Sequence, residues 1–83
     1  MGFNVSFKSS VFKDLKKIDK TKAALILDKV ENDLSNSPDS YPQLTGKFSG
    51  LRKYRVGDYR VIYSIIDETI LILRISHRKD AYK

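Results

Sequence analysis

Residues 53–65 read Lys53-Tyr-Arg-Val-Gly-Asp-Tyr-Arg-Val-Ile-Tyr-Ser-Ile65, and the pattern on either side of Gly57-Asp58 decides the fold. β-branched and aromatic residues alternate with cations and then stop at a Gly-Asp pair, as two strands joined by a two-residue turn would require. Glycine at the first central position suits a type II′ turn, which needs a positive φ there. That turn makes Val56 oppose Tyr59, Arg55 oppose Arg60, and Lys53 oppose Ile62. Since side chains alternate between faces, Lys53, Arg55 and Arg60 share one face of the hairpin. Tyr54, Val61, Tyr63 and Ile65 form the other, which is fit for packing on helices. Like charges set this close destabilise a strand pair, so a purely structural sequence has a reason to avoid them.

Working outward toward the C-terminus, the next strand carries Leu71, Leu73 and Ile75 on one side and Ile70, Ile72, Arg74, Ser76 and Arg78 on the other. An odd-length loop around Asp67 to Thr69 would put the leucines and Ile75 with Val61 and Tyr63, and Arg74 and Arg78 beside Arg60. Binary patterning favours that loop over an even one, which would mix the apolar stripe with cations. The sequence therefore predicts one sheet face lined by Lys53, Arg55, Arg60, Arg74 and Arg78. Tyr54 and Tyr63 fall with the core.

Toward the N-terminus, Asn4 to Phe7 reads as a short strand. Ser9 and Ser10 offer capping oxygens to a helix with Val11, Phe12, Leu15 and Ile18 at helical spacing. Asp19 to Thr21 breaks it, with Asp19 or Thr21 able to cap the next helix. Ala23, Leu27, Val30 and Leu34 predict that this one runs to about Ser35, and two helices joined so closely predict an antiparallel pair. Ser35 to Pro42 holds turn formers and both prolines, and reads as a connection. The expected fold class is α+β in one domain over residues 1–83: a strand, two helices, then a three-stranded antiparallel meander, forming one sheet with the helices on one face.

Composition narrows the function. Eighty-three residues hold one small core, and 41% hydrophobic residues suffice to build it. The absence of cysteine removes disulfides, thiolate metal sites and thiol nucleophiles. With no apolar leader, the expectation is a cytoplasmic protein that does not engage a membrane. The formal charge is +6, and it is unevenly placed. Residues 1–44 contain seven lysines, no arginine and six acids, whereas residues 45–83 contain four lysines, five arginines and four acids. Arginines confined to strands suit planar recognition of phosphate or carboxylate, the alternative being ordinary cross-strand charge pairing.

A metal nuclease needs converging carboxylates, yet Asp58, Asp67 and Glu68 sit in expected turns, with Asp80 the other acid nearby. No metal or other cofactor is therefore expected. One histidine, His77, lies at the end of a strand on the apolar parity, where a structural role is expected. Gly46, Gly50 and Gly57 fit no phosphate loop. What remains is a cationic face that could hold a scissile phosphate and stabilise transition-state charge. In RNA the adjacent 2′-hydroxyl is a built-in nucleophile, so the protein need only position, deprotonate and protonate. Tyr82 could reach that face or, as a terminal aromatic, cover apolar surface.

The run Leu44-Thr-Gly-Lys-Phe-Ser-Gly-Leu-Arg-Lys-Tyr-Arg-Val-Gly-Asp-Tyr-Arg-Val-Ile-Tyr63 resembles the signature of RelE/ParE-superfamily toxins, and Ile75-Ser-His-Arg-Lys-Asp-Ala-Tyr82 resembles their closing motif. The resemblance implies a toxin of a type II toxin–antitoxin system, restrained by a cognate antitoxin through which alone it would meet DNA. The ending that retains Tyr82 favours the RelE branch, which cleaves mRNA in the ribosomal A site without metal. Carried over by position, this implies catalytic roles for Lys53, Arg60 and Arg78, with Tyr82 as the base. Arg52, Arg55, Arg74 and Lys79 become RNA contacts. The best-known pattern has a second lysine two positions before Lys53, where this chain has Leu51, so the general acid falls to Lys53, Arg52 or Lys79. A ParE-like toxin that binds DNA gyrase is the alternative, and a binding module without catalysis is the third reading.

Overall fold

The computed structural model describes residues 3–43 and 50–77. A first strand, β1 (Asn4–Phe7), leads into helices α1 (Ser9–Lys16) and α2 (Lys20–Lys29), followed by a π-helical turn at Val30–Leu34 and a 3-10 turn at Pro38–Ser40. Strands β2 (Arg52–Val56), β3 (Tyr59–Ile66) and β4 (Thr69–His77) complete the fold. The sheet order is β1-β4-β3-β2. The meander is antiparallel as expected, and β1 adds to β4 in parallel, making the sheet mixed.

The β2–β3 hairpin has the register its sequence predicts: Val56 opposite Tyr59, Arg55 opposite Arg60, Lys53 opposite Ile62. Gly57 takes φ 59, and no other residue of that turn has a positive φ, as a type II′ turn demands.

The β3–β4 connection corrects the odd-loop expectation. Ile66 opposes Thr69 across a two-residue turn of Asp67 and Glu68, and Asp67 adopts φ 55, a region that aspartate tolerates. That even turn puts Ile70 and Ile72 in the core and leaves Leu71 opposite the outward Ser64. A register shift follows: Tyr63 opposes Ile72, Ile62 opposes Arg74, and Leu73 is the extra residue of a bulge. Beyond it the parity has switched. Ile75 is buried opposite Val61, while Arg74 and Ser76 pair with the outward Ile62 and Arg60. One extra residue in a strand swaps faces for everything after it.

The helices cover the inner face. Val11, Ile18, Ile26, Val30 and Leu34 pack with Tyr54, Val56, Val61, Tyr63, Ile70, Ile72 and Ile75 in one apolar cluster. Asp19 caps α2 by accepting from the Thr21 amide at 3.2 Å. Three helical expectations are corrected. Ser9 and Ser10 lie within α1, whose N-cap is Lys8 with no side-chain bond. Phe12 is 55% exposed, leaving Val11 and Ile18 as the buried contacts of that segment. In α2 the buried stripe is Ile26, Val30 and Leu34 rather than one through Ala23 and Leu27. The π-helical turn, wider than an α-turn, keeps Val30 and Leu34 both inward. Asn32 and Asn36 donate to the carbonyls four residues back, at 2.9 and 2.6 Å, satisfying groups at the end of the helix.

Two tyrosines tie the sheet to the two short helical turns after α2. The Tyr54 hydroxyl donates to the Asp33 carboxylate, and the buried Tyr63 hydroxyl donates to the Pro38 carbonyl at 2.5 Å.

A Cβ built on Gly57 would meet no heavy atom within 4 Å, so any cost of adding one comes from the backbone alone. Gly57→Ala should therefore lower stability by about 1–2 kcal/mol, the usual penalty for an L-residue at such a φ, without altering the fold. Urea denaturation checks this, and an unchanged midpoint would mean that the turn tolerates an L-residue at position 57 without strain.

Candidate functional site

The outward face of the sheet is built from two rows that cross three strands. Arg55, Arg60 and Ser76 make one; Lys53, Ile62 and Arg74 make the other. Four cations thus surround a half-buried Ile62. With strands about 4.8 Å apart, Lys53 and Arg74 have backbones only about 10 Å apart across the sheet. Arg55 and Arg60 form the second pair back from a two-residue turn, a non-hydrogen-bonded position where side chains approach most closely. Arg55 and Arg74 are exposed; Lys53 and Arg60 are partly buried, and the Arg60 Nε is withdrawn from solvent.

Among the described residues, no strand residue on this face is acidic or aromatic. Asp58 stands at its rim in the turn. The strand tyrosines all point to the helix side: Tyr54 and Tyr63 are buried, and the Tyr59 ring meets His77 edge-on at 5.1 Å. His77 opposes Tyr59 at the end of β4, on the parity expected for it. No group of three His, Cys, Asp or Glu side chains able to hold a metal occurs among the described residues, nor is any described helix long and apolar enough to cross a membrane.

The structure brings together Lys53, Arg55, Arg60 and Arg74. It does not add Arg52 to them. Arg52 opposes Tyr63 on the inner face, and its Nη1 donates to the carbonyls of Asp39 and Tyr41, at 3.2 and 2.6 Å. Its neighbour Lys53 anchors the same segment through the backbone, donating its amide to Pro42 O at 3.1 Å. Arg78, Lys79 and Tyr82 lie outside the described residues.

A cleft of about 700 Å³ opens beside the cationic face, where β4 emerges past α1. Asp14, Lys17, Tyr59, Arg74 and His77 line it. Sequence reasoning missed Asp14, whose Oδ2 accepts the Ile75 amide at 3.1 Å. Only the place of α1 beside β4 reveals that contact.

Neither core tyrosine is suited to proton abstraction. Burial, then the bond to the Asp33 carboxylate, raises the Tyr54 phenol well above its ordinary value. Burial also pushes Tyr63 up to about 12, against the pull of the Arg52 guanidinium. Both stay protonated at neutral pH. A phenol raised in the folded state confers stability that is fully present below its unfolded value and lost as pH rises through the folded one.

Stability should therefore hold as pH rises to about 10 and fall above it. Tyr63→Phe should flatten part of that decline in denaturation curves taken across this range, and a wild-type curve without a decline would contradict the assignment. Arg52→Ala should cost about 1–3 kcal/mol by stripping two carbonyls of a charged donor, while leaving the outer face in register. A substitution there that abolished activity at unchanged thermal stability would instead give Arg52 a place in the site.

Comparison with known proteins gives a consistent picture. A family model described as the ParE toxin of type II toxin–antitoxin system, parDE, matches residues 5–82. Toxin RelG of Mycobacterium tuberculosis is 34% identical over 90 residues, covering 100% of this chain and 99% of that protein. The solved toxin–antitoxin complex RelBE2 of the same organism contains a chain 31% identical with TM-score 0.88, covering 94% of this chain and 100% of that one. A mutant of Escherichia coli toxin RelE in the free state has TM-score 0.78 at 18% identity, over 99% of this chain and 90% of that one. At that identity the likeness is one of fold.

Proposed function

The chain belongs to the RelE/ParE family of toxins from type II toxin–antitoxin systems, and on that premise we propose that it is a metal-independent mRNA endoribonuclease acting in the ribosomal A site. The observation that carries this reading is the outer sheet face, where Lys53, Arg55, Arg60 and Arg74 crowd around Ile62 with no acidic strand neighbour among the described residues. Such a face favours a phosphodiester backbone and repels nothing anionic. Among the described residues its strands offer no aromatic platform, which fits contact with phosphates rather than stacking on bases.

Arg60 and Arg78 hold the scissile phosphate and stabilise the charge that accumulates on its oxygens. Tyr82, in the role that the family resemblance gives it, takes the proton of the 2′-hydroxyl. The 2′-oxygen forms a bond to phosphorus as the bond to the 5′-oxygen breaks, and Lys53 gives a proton to the departing oxygen. The products are a 2′,3′-cyclic phosphate and a free 5′-hydroxyl. Arg55, Arg74 and Lys79 hold flanking phosphates. The partner that restrains this activity is a cognate antitoxin, as the toxin–antitoxin complexes among the solved relatives suggest.

The ParE description of the matching family model favours a second reading, inhibition of DNA gyrase by protein binding, which needs no base. Primer extension on a reporter mRNA in a purified translation system separates the two. We expect ribosome-dependent cleavage within codons, reduced at least about 100-fold by Arg60→Ala and by Tyr82→Phe, with thermal unfolding unchanged. Cleavage by Arg60→Ala at the full rate would overturn the proposed mechanism. Intact mRNA together with inhibited DNA supercoiling would establish the gyrase reading.

A further inference from the structure

The face on which Arg74 stands depends on where the β4 bulge lies. From the buried Ile72, regular alternation would turn residue 74 back inward. Only because Leu73 is the extra residue does Arg74 pair with Ile62 on the outer face. A bulge formed two residues later would bury the guanidinium against the helices.

The bulge sits where the other edge of β4 loses its β1 neighbour. The pairing of β1 ends at Phe7 opposite Ile72, and the Lys8 amide makes a last bond to the Ile72 carbonyl at 2.9 Å. From there α1 takes over the strand edge. Ser10 Oγ donates to the Leu73 carbonyl at 3.3 Å, and Asp14 Oδ2 accepts the Ile75 amide at 3.1 Å. The two residues are four apart, so they share one face of the helix. Their bonds, one to an acceptor and one to a donor, bracket Arg74.

We propose that Ser10 and Asp14 are positioning residues: a two-point clamp that fixes the bulge at Leu73 and so holds Arg74 toward RNA, a purpose that rests on the ribonuclease reading. The clamp needs an oxygen acceptor at position 14 but not a charge. Asp14→Asn should therefore keep it, while Asp14→Ala and Ser10→Ala should weaken it.

The test pairs a structural with a binding readout on the full chain. In NMR spectra, Asp14→Ala should lose cross-strand contacts between Ile62 and Arg74 and expose the Ile75 amide to exchange, and Asp14→Asn should restore both. Binding is measured with a 2′-O-methyl single-stranded RNA, which cannot be cleaved. Arg74→Ala should weaken it about tenfold and reduce the salt slope by roughly 0.7. Asp14→Ala should give most of that loss and add little to Arg74→Ala. Should Asp14→Ala not fold, Ser10→Ala serves in the same comparison.

Persistence of the Ile62–Arg74 contacts in the clamp variants would overturn the proposal, as would additive losses with an unchanged salt slope. A wild-type protein that neither binds nor cleaves RNA would overturn the ribonuclease reading and the purpose given to Arg74, while the NMR comparison would still decide the clamp.

Discussion

The pleat of β3 is the constraint on which this molecule depends. It is the strand with antiparallel neighbours along both edges, so its alternation is imposed on β2 and β4 together. Val61 and Tyr63 point inward and are fully buried, while Arg60 and Ile62 point the other way. A one-residue slip would exchange the two sets, moving an arginine into the apolar cluster and a tyrosine into water. The cost of burying an unpaired cation makes that slip prohibitive. The core therefore enforces the cationic face.

Crowding cations works against the fold, and the structure shows what offsets it. Arg55 and Arg60 are neighbours at the closest kind of strand pair, yet beneath them lie Tyr54, Val56 and Val61 packed on Ile26, Val30 and Leu34. Burial of large aliphatic and aromatic groups contributes about 1.5–3 kcal/mol each, more than like-charge repulsion at a solvated surface removes. Tyr54 and Tyr63 also fasten the sheet to Asp33 and Pro38, so the connection after α2 is held by hydroxyl bonds as well as by packing. Local repulsion of this kind is what the proposed contact with phosphate would relieve.

The hairpin is legible in the sequence because its determinants are local: a Gly-Asp turn fixes the register, and the register fixes both faces. The same logic fails along β4. Ile70, Ile72 and Ile75 are spaced by two and then three, the trace of a bulge, but an odd loop explains an outward Arg74 equally well. What selects the bulge is contact with α1, more than sixty residues earlier, and no periodicity within β4 can report it. Reading Ser10 as a cap fails for a related reason, since a hydroxyl at a helix start has more than one backbone partner within reach. Arg52 shows the limit for charge. Its neighbours in sequence are the cations of the outer face, yet strand parity turns it to the carbonyls of the preceding turn. The family resemblance names Arg52 together with Lys53 and Arg55, and only the register separates it from them.

The parallel pairing of β1 with β4 governs the order in which the fold can close. Val5 finds its partner only in Ile70, and Asn4 in Thr69, so the segment made first waits for the strand made last among those described. Closing so long a loop is slow relative to helix or hairpin formation. The β2–β3 hairpin can form earlier by itself, but Arg74 joins Arg60 only when β4 is laid down between β3 and β1. Until β4 has paired, the chain therefore carries its cations as separate charges. They become a composite surface only when that long-range pairing closes, so a partly folded chain does not yet carry the face that the folded one presents.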